Sequence, residues 1–477
     1  MMPTKSPYLF IGLTLAATLA ACVAPPPAAA PAVPAAPKAT EAPKPTEAPS
    51  AATAAPTAAA APAASNEITT WYYYDQNNTD AKANERAGNL YIAKSMKQFN
   101  DEMAGKMTWT NVPRDYNLAL DLVTGVQNGG DVPDVMQFGI ADLPLYTLNN
   151  TIQNVEWARS EAWFKDLDSK GVEACTVGGK LMCVPISESP WLTFYWTDVY
   201  KDGFPKTPDD FLKAGAAATK GGNYAMTYWG NTAFDGDGTG RYFYQTISGF
   251  GGSYDDGKGN LKLNTPENVK AVGFMREVVK KGLASESVFA GNFEEEETFK
   301  QGKAGAFPTG FFIAVRYLNP LKSLAGKEYK DIEEAVNAGA VKLAPFVAVE
   351  GQKPGCMLDL FGFVVPRAAK NVDGAKAYIN WVMDKKNMTD WIVNAGGGFP
   401  TSTSMRAEPT FQTEMYKQAQ AVGAASACKP WYGSLTHIPE AKKIIANALF
   451  DLIKAKPDAD IAATLGKADE EYAKLNK

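Results

Sequence analysis

The sequence holds one histidine, His437, among its 477 residues. A single imidazole excludes an HExxH zinc motif and most histidine-rich metal centres. Basic charge is not in excess either: 47 Lys and Arg face 52 Asp and Glu, and the basic residues are scattered. That balance argues against a nucleic-acid-binding body. No GxSxG nucleophile elbow and no dinucleotide-binding glycine loop occurs, so neither a cofactor nor a metal is expected.

Long apolar runs are missing except near the N-terminus. Leu9 to Leu19 is apolar but too short to span a bilayer comfortably, and Lys5 precedes it. The run ends in Leu19-Ala20-Ala21-Cys22, which is similar to a bacterial lipobox. Residues 1–21 are therefore predicted to be a lipoprotein signal peptide, with Cys22 as the acylated N-terminus. An ordinary signal peptide containing a chance cysteine is the alternative.

Residues 22–65 lack aromatic side chains. Eleven of the 31 prolines fall between Val23 and Ser65, and most other positions there are alanine. Such a segment cannot bury enough apolar area to fold, and proline keeps it extended. It predicts a tether that holds a folded body, residues 66–477, near a membrane surface. A body of this length is typical of two domains.

Four cysteines remain in the body, an even number that permits disulfide pairing in an exported protein. Cys175 and Cys183 flank a short apolar stretch with a Gly178-Gly179-Lys180 turn. A hairpin with that three-residue loop would place the two thiols opposite each other, within disulfide range. Two buried free thiols are the alternative. Nothing local brings Cys356 and Cys428 together, so the sequence leaves their pairing open.

The body alternates strand and helix patterns. β-branched and aromatic residues predict strands over Glu67–Tyr74, Met107–Val112 and Pro133–Phe138. Helical periodicity lies between them, over Asp80–Met103 and Tyr116–Gln127. Strand–helix–strand at this spacing indicates an α/β fold with mainly parallel sheets. Further helices are predicted at residues 207–219, 266–281, 374–383, 438–454 and 461–475.

A set of motifs in the body resembles one family. In chain order these are Pro133-Asp134-Val135, Gly179 to Pro185, Phe194 to Asp198 with Phe204 to Phe211, Phe299 to Ala306 with Gly310-Phe311, Phe361 to Pro366, Ala375 to Trp381, and Gly398 to Thr401. Together they resemble the family 1 extracellular solute-binding proteins of ABC importers, the group that includes maltose-binding protein. Departures fall near the expected cleft: Phe311-Phe312 replaces a frequent x-Trp, and Asp359 stands where the family is often glycine-rich.

The resemblance implies a two-lobed, type II periplasmic-binding-protein-like fold with the ligand cleft between the lobes. The N-lobe would comprise residues 66–187 and 341–367, and the C-lobe 188–340 and 368–477, with a first crossing near residues 186–190. The implied function is capture of a small polar solute, most simply a mono- or oligosaccharide, by hinge closure and delivery to an ABC permease. The protein would be a monomer, would not be an enzyme, and would be anchored by lipid to the outer face of the bacterial cytoplasmic membrane.

Sugars present C–H faces to aromatic rings and hydroxyls to polar side chains. By position in the family pattern, the expected ligand-binding residues are Tyr73, Asp75, Asn77, Phe138, Glu188, Trp191, Trp229, Tyr242, Phe311, Asp359, Trp431 and Tyr432. Each aromatic residue has core packing as its alternative. Asp75, Asn77 and Glu188, each taken alone, fit a solvated or capping role better than a ligand contact.

Two other functions stay open on the sequence. An anchored glycosidase or other hydrolase needs two carboxyl groups at a set separation, and nothing in the sequence places such a pair. A polyamine receptor would use Asp75, Glu188 and Asp359 with aromatic rings. Phosphate is disfavoured because only Arg241 and Arg316 fall near the expected loops. The acidic run Glu294 to Glu297 is expected to be a solvated face at a helix start, or a surface for a partner.

Overall fold

The computed structural model describes residues 66–80, 86–114, 118–219, 221–233, 236–291, 293–316, 320–430 and 433–476. The predicted signal peptide, Cys22 and the tether lie outside the described residues, as do Trp431 and Tyr432. Within the described part, no helix is both long and apolar enough to cross a membrane.

Fourteen strands are described, and two of them are 12 and 13 residues long. The strands are β1 Glu67–Tyr72, β2 Thr108–Pro113, β3 Val135–Gly139, β4 Ile152–Gln153, β5 Thr176–Val177, β6 Lys180–Leu181, β7 Val184–Trp196, β8 Ala306–Gly310, β9 Leu321–Lys322, β10 Glu328–Tyr329, β11 Val341–Ala344, β12 Gly355–Pro366, β13 Phe399–Pro400 and β14 Ala427–Pro430.

Sixteen α-helices are described. They are α1 Arg86–Glu102, α2 Leu118–Asn128, α3 Leu143–Leu148, α4 Ser169–Ala174, α5 Pro208–Ala218, α6 Asp237–Gly249, α7 Pro266–Lys280, α8 Glu294–Lys300, α9 Ile313–Arg316, α10 Ile332–Asn337, α11 Val372–Val382, α12 Lys385–Trp391, α13 Thr403–Arg406, α14 Glu414–Ala425, α15 Ile438–Phe450 and α16 Ile461–Ala473. Helices begin where the sequence supplies caps. Thr207 and Thr265 each accept a backbone N–H at an N-terminus that also carries proline.

One sheet runs through the body in the order β11-β7-β12-β3-β1-β2. β1 lies parallel to both β2 and β3, as the strand–helix–strand pattern predicts. The expectation of mainly parallel sheets does not extend to the other end. There β7 pairs antiparallel with β8, β11 and β12, so the whole sheet is mixed.

β7 and β12 are the two crossing strands. The first part of β7 pairs with β12, and its last residues, Trp191 to Trp196, pair with β8 and β11. β12 pairs with β14 near its start and with β3 near its end. Residues 186–190, where the first crossing is predicted, lie within β7. The N-lobe side of the molecule is the β1–β3 end of this sheet, and the C-lobe side is the β8 and β11 end.

Residues 372–391 pack on the N-lobe side, although the resemblance assigned them to the C-lobe. The hydroxyl groups of Tyr378 on α11 and Tyr72 on β1 are 2.7 Å apart and buried. Asn380 Oδ1 accepts a 2.9 Å hydrogen bond from Trp163 Nε1. The apolar face of α11 covers β1, so the chain returns to the first lobe after β12 before it supplies α14 and α15 to the C-lobe side.

Two disulfides cross-link segments of the body. Cys175 pairs with Cys183, and the Cα atoms are 5.0 Å apart. The hairpin between them is shorter than predicted, because Gly178 and Gly179 alone form the loop, both with positive φ. Thr176 therefore faces Leu181, and the disulfide joins residues one position out of register. Cys356 on β12 and Cys428 on β14 face each other directly in a parallel pair and form the second bridge.

Removing the second bridge is expected to cost more stability than removing the first. Loop entropy in the unfolded chain grows with the enclosed length, which is 72 residues for Cys356–Cys428 and 8 for Cys175–Cys183. Replacing both cysteines by serine should lower the unfolding free energy by about 4 kcal/mol for the long loop and about 2.5 kcal/mol for the short one. Urea unfolding of the two double variants measures the difference. Equal losses would contradict the loop-length argument.

Candidate ligand-binding site

A cleft of ≈ 440 Å³ lies where the end of β3 approaches the two crossing strands. The N-lobe side contributes residues that follow β1 and β3 and residues from the starts of α1, α2 and α3. The C-lobe side contributes residues around α6, α8, α9 and α15. Trp191 on β7 and Asp359 on β12 lie between the two sets. The cleft is thus built from segments that are far apart in sequence and that only the crossing strands bring together.

Charged side chains form a continuous network along the C-lobe wall. Lys442 Nζ lies 2.9 Å from Asp237 Oδ1 and 3.4 Å from Asp142 Oδ1. Arg241 Nε lies 2.6 Å from Asp237 Oδ2, and its Nη1 pairs with Asp359. Because Asp142 follows β3 and Lys442 belongs to α15, this network, the ion ladder, links the two sides of the cleft.

Asp359 connects the ion ladder to both crossing strands. It lies on β12, and its Oδ2 accepts a 2.9 Å hydrogen bond from the Nε1 of Trp191 on β7. Only 5% of Asp359 is exposed. A carboxylate this deeply buried needs its partners, because an unpaired buried charge is costly. Asp359 therefore holds the Trp191 indole and the Arg241 guanidinium in fixed positions in the cleft wall.

The two inner members of the ion ladder, Asp237 and Lys442, are charged. Burial acts to raise the pKa of Asp237, but Arg241 and Lys442 overcome that effect and lower it. Burial acts to lower the pKa of Lys442, and Asp142 and Asp237 overcome it and raise the pKa. Both groups are therefore charged at neutral pH, and each charge already has its counterion inside the protein.

Aromatic rings cover the part of the wall beside the ladder. Trp229 packs edge-on against Phe293 at 5.7 Å, and its Nε1 donates to Thr309 Oγ1 at 3.2 Å. Phe312 packs edge-on against Trp191 at 6.3 Å. The Arg316 guanidinium lies 4.5 Å from the centre of the Phe293 ring and pairs with Glu296. The wall thus offers flat apolar faces next to hydrogen-bonding groups.

Four of the sequence-predicted residues line the cleft: Tyr73, Trp191, Trp229 and Asp359. Two more lie just outside it. Asp75 and Asn77 follow β1, and Asp75 Oδ1 accepts the Asn77 backbone N–H at 2.9 Å in a local turn. The Asp75 side chain shapes this loop, and neither residue is among those that line the cavity.

Three predicted aromatic residues are buried in the core. Phe138 packs against Tyr146, Tyr242 stacks on Tyr228 at 4.3 Å, and Phe311 stacks on Phe399 at 5.2 Å. None of the three lines the cleft. For Phe138 the reason is strand alternation: its neighbour Gln137 faces the cleft, so Phe138 points the other way.

Glu188 is also turned away from the cleft. It lies three positions before Trp191 on β7, and an odd spacing puts two strand residues on opposite faces. Its carboxylate pairs with Arg406 at 3.1 Å. Glu188 thus ties the crossing strand to α13.

Several cleft residues were not predicted as ligand contacts: Gln137, Asp142, Asp237, Arg241, Phe312, Arg316 and Lys442. Gln137 stands out because its buried Oε1 has no hydrogen-bond partner within the described part of the chain. A buried acceptor without a partner in a binding cleft is a candidate to accept a hydrogen bond from a ligand hydroxyl. Strand alternation from Phe138 was the sequence feature that could have indicated Gln137.

The acidic run Glu294 to Glu297 is not a solvated face. It begins α8, but Glu295 and Glu296 are buried. Glu296 pairs with Arg316, which lines the cleft, while neither carboxyl oxygen of Glu295 has a partner among the residues described. The expectation fails because Thr298 and Phe299, which follow the run on α8, are also buried, so the face of the helix that holds Glu295 packs against the interior.

Comparison with known proteins identifies the family. The profile of the family described as bacterial extracellular solute-binding protein matches residues 94–421. A search of curated protein sequences gives no match.

Solved structures show the same fold at low sequence identity. Maltose-bound MalE3 of T. maritima has a TM-score of 0.70 at 17% identity, over 86% of this chain and 99% of that one. The Thermus thermophilus maltotriose-binding protein has 0.66 at 18%, over 86% and 100%. UgpB of Mycobacterium tuberculosis, solved with glycerophosphocholine, has 0.66 at 16%, over 86% and 98%. These are two-lobed type II binding-protein folds, as predicted. The profile match covers more than half of the sequence, and the chain belongs to the bacterial extracellular solute-binding protein family.

Proposed function

We propose that this protein is the solute receptor of an ABC importer, and that its cleft binds a neutral polyhydroxylated solute, a mono- or oligosaccharide. The observation that supports this proposal is that the charged side chains of the cleft are paired with one another. Asp142, Asp237 and Asp359 are each paired with Lys442 or Arg241 inside the protein. Arg316 is paired with Glu296.

Internal pairing of this kind favours a neutral ligand. A polyamine would need carboxylates without counterions, and a phosphate ester would need basic groups without them. Binding either would mean breaking a buried ion pair, which costs several kcal/mol. A hydroxyl group, in contrast, can hydrogen-bond to a paired carboxylate or guanidinium through the lone pairs and N–H groups left over.

The aromatic rings support a sugar within that class. Trp229, Phe312 and Tyr73 offer apolar faces to the C–H side of a pyranose, while the ion ladder and Gln137 offer partners for its hydroxyls. Two of the three fold relatives were solved as maltose and maltotriose complexes. The third holds a phosphodiester, and the paired cations of this cleft argue against that ligand here.

The protein would act by equilibrium binding and hinge closure, without making or breaking a bond. Cys22, acylated, would anchor it to the outer face of the bacterial cytoplasmic membrane. Residues 23–65 would let the body reach both solute and permease as a monomer. The lobes would close about β7 and β12, which carry Trp191 and Asp359 into the cleft floor.

Tryptophan fluorescence with a sugar panel tests the proposal, because Trp191 and Trp229 line the cleft. The expected result is a saturable change with one or a few sugars, each recovered intact. Release of a product from the sugar would instead support the hydrolase alternative. Saturation by putrescine or spermidine and by no sugar would support a polyamine receptor. Native mass spectrometry of the purified body identifies any solute that copurifies.

Replacing Trp229 by alanine should weaken binding of the identified sugar about 30-fold, the loss of about 2 kcal/mol for a central aromatic contact. Trp157→Ala is the matched control, because Trp157 is partly buried but does not line the cleft. Isothermal titration calorimetry measures both variants. An unchanged affinity in Trp229→Ala would remove this residue from the site.

A further inference from the structure

Beside Tyr73, Tyr74 and Gln137, the N-lobe wall of the cleft has an aliphatic part where a sugar site would be expected to be polar. Among the described residues, this part comes from the start of α2, from the start of α3 and the residues just before it, from the end of α4 and from β5. Its members include Ala119, Leu120, Ala141, Pro144, Ala174 and Val177. None of these side chains can donate or accept a hydrogen bond, and none offers a flat ring.

Two of these side chains are unusually exposed. Leu120 is 41% exposed and Val177 is 40% exposed. In the described part of the chain three other large apolar side chains are exposed, Leu90 and Leu475 at 39% and Leu148 at 64%, and none of those three lines the cleft. Exposed apolar area concentrated at the rim of a binding cleft marks a contact surface.

Two polar groups of the same wall are already engaged, and the Oε1 of Gln137 is the buried acceptor that is left for a ligand hydroxyl. Tyr74 Oη donates to the carbonyl oxygen of Ala395 at 2.8 Å, and Asp142 pairs with Lys442. The opposite wall carries the rings of Trp229 and Phe312 with the rest of the ion ladder. The C-lobe wall therefore suits a polyhydroxylated group, and the aliphatic part of the N-lobe wall suits an apolar group.

We infer that the ligand is a neutral glycoside carrying an apolar alkyl or aryl group. Its sugar lies against the C-lobe wall, and its apolar group lies against Leu120 and Val177. This inference rests on the proposed function and specifies its substrate class. Each methylene removed from water contributes about 0.8 kcal/mol, or roughly fourfold in affinity. The apolar group thus contributes to affinity and separates this ligand from the free sugar.

Calorimetry on the full chain with paired glycosides tests the inference. The probes are the methyl and n-hexyl β-glycosides of glucose, galactose and maltose, used below their micelle-forming concentrations. For a sugar that binds, the hexyl glycoside should bind at least about 30-fold more tightly than the methyl glycoside. In free energy, this factor is about half of what the additional methylenes of the hexyl group would contribute if all of them were fully buried. Equal affinity of the two would overturn the inference and leave the proposed function standing.

The double variant Leu120→Asn, Val177→Thr ties the effect to the wall. It should abolish the hexyl advantage. Leu148→Asn is the control, since Leu148 is 64% exposed but outside the cleft, and it should keep the advantage. A hexyl advantage that survives in the double variant would overturn the inference.

An uncharged fluorophore, N-phenyl-1-naphthylamine, tests the wall without any sugar. Its fluorescence should rise with the wild-type chain and with Leu148→Asn, and the rise should be lost in the double variant. Equal fluorescence in the double variant and the wild type overturns the inference whatever the sugar panel shows. Loss of the signal in the double variant, together with no binding by any sugar or glycoside, would overturn the proposed function and leave an apolar site.

Discussion

Replacing Asp359 by alanine is expected to lower the free energy of unfolding by about 3 to 5 kcal/mol, because it breaks a buried ion pair from one side. The Asp359 carboxylate pairs with Arg241 and accepts the Trp191 Nε1 hydrogen bond. Its removal leaves Arg241 with Asp237 as its remaining carboxylate in the cleft wall, and takes away the acceptor of the Trp191 indole N–H. The indole is also freed to turn, so sugar affinity should fall with stability.

Urea unfolding measures the loss, and a second variant separates its causes. In Asp359→Leu, Arg241→Met both charges are gone, so most of the lost stability should return. Asp237 keeps Lys442 as a partner in that variant. The control is Asp131→Ala, which removes an exposed pair with Lys370 and should leave the unfolding midpoint unchanged. A small loss in Asp359→Ala, like that of the control, would show that the ladder does not hold the cleft wall.

The local pattern of the sequence was enough to predict the elements of the N-lobe. The three strands and the two helices between them lie where the pattern predicts them, with ends that differ by up to six residues, and β1 pairs parallel with both neighbours. Hydrophobic pattern and turn residues act over a few positions, so they can be read locally. The antiparallel pairing of β7 with β8 has no such local signature.

The cleft was only partly predictable, because its chemistry depends on which strand face turns inward. The aromatic character of Phe138 suggested a ring at the ligand, but its neighbour Gln137 lines the cleft. Asp142 and Lys442 are 300 positions apart, and nothing in the sequence links them. The same limit applied to Cys356 and Cys428, which meet only because β14 pairs in register with β12.

Glu295 belongs to an acidic run that the sequence predicts to be solvated, yet the fold buries it. Burial raises the pKa of its carboxyl group to about 8, with Glu296 adding to the rise and Arg316 opposing it. In the unfolded chain a glutamate titrates near ~4.3. Between these two values the folded protein holds one more proton than the unfolded chain. Stability should therefore fall as pH rises from about 4.5 to 8 and then level off.

The Glu295→Gln variant should lack this component of the pH dependence. The unfolding free energy of the variant minus that of the wild type should increase by about 2 to 4 kcal/mol from pH 5 to pH 8.5. This range is set below the value that the full pKa difference would give. Urea unfolding at both pH values measures the change, with Glu297→Gln as the control because that side chain is 43% exposed on the same helix. Parallel pH profiles for Glu295→Gln and the wild type would mean that Glu295 ionises inside the fold. In that case the Glu295 carboxylate would need a counterion. Arg316, which already pairs with Glu296, would have to be shared between the two carboxylates.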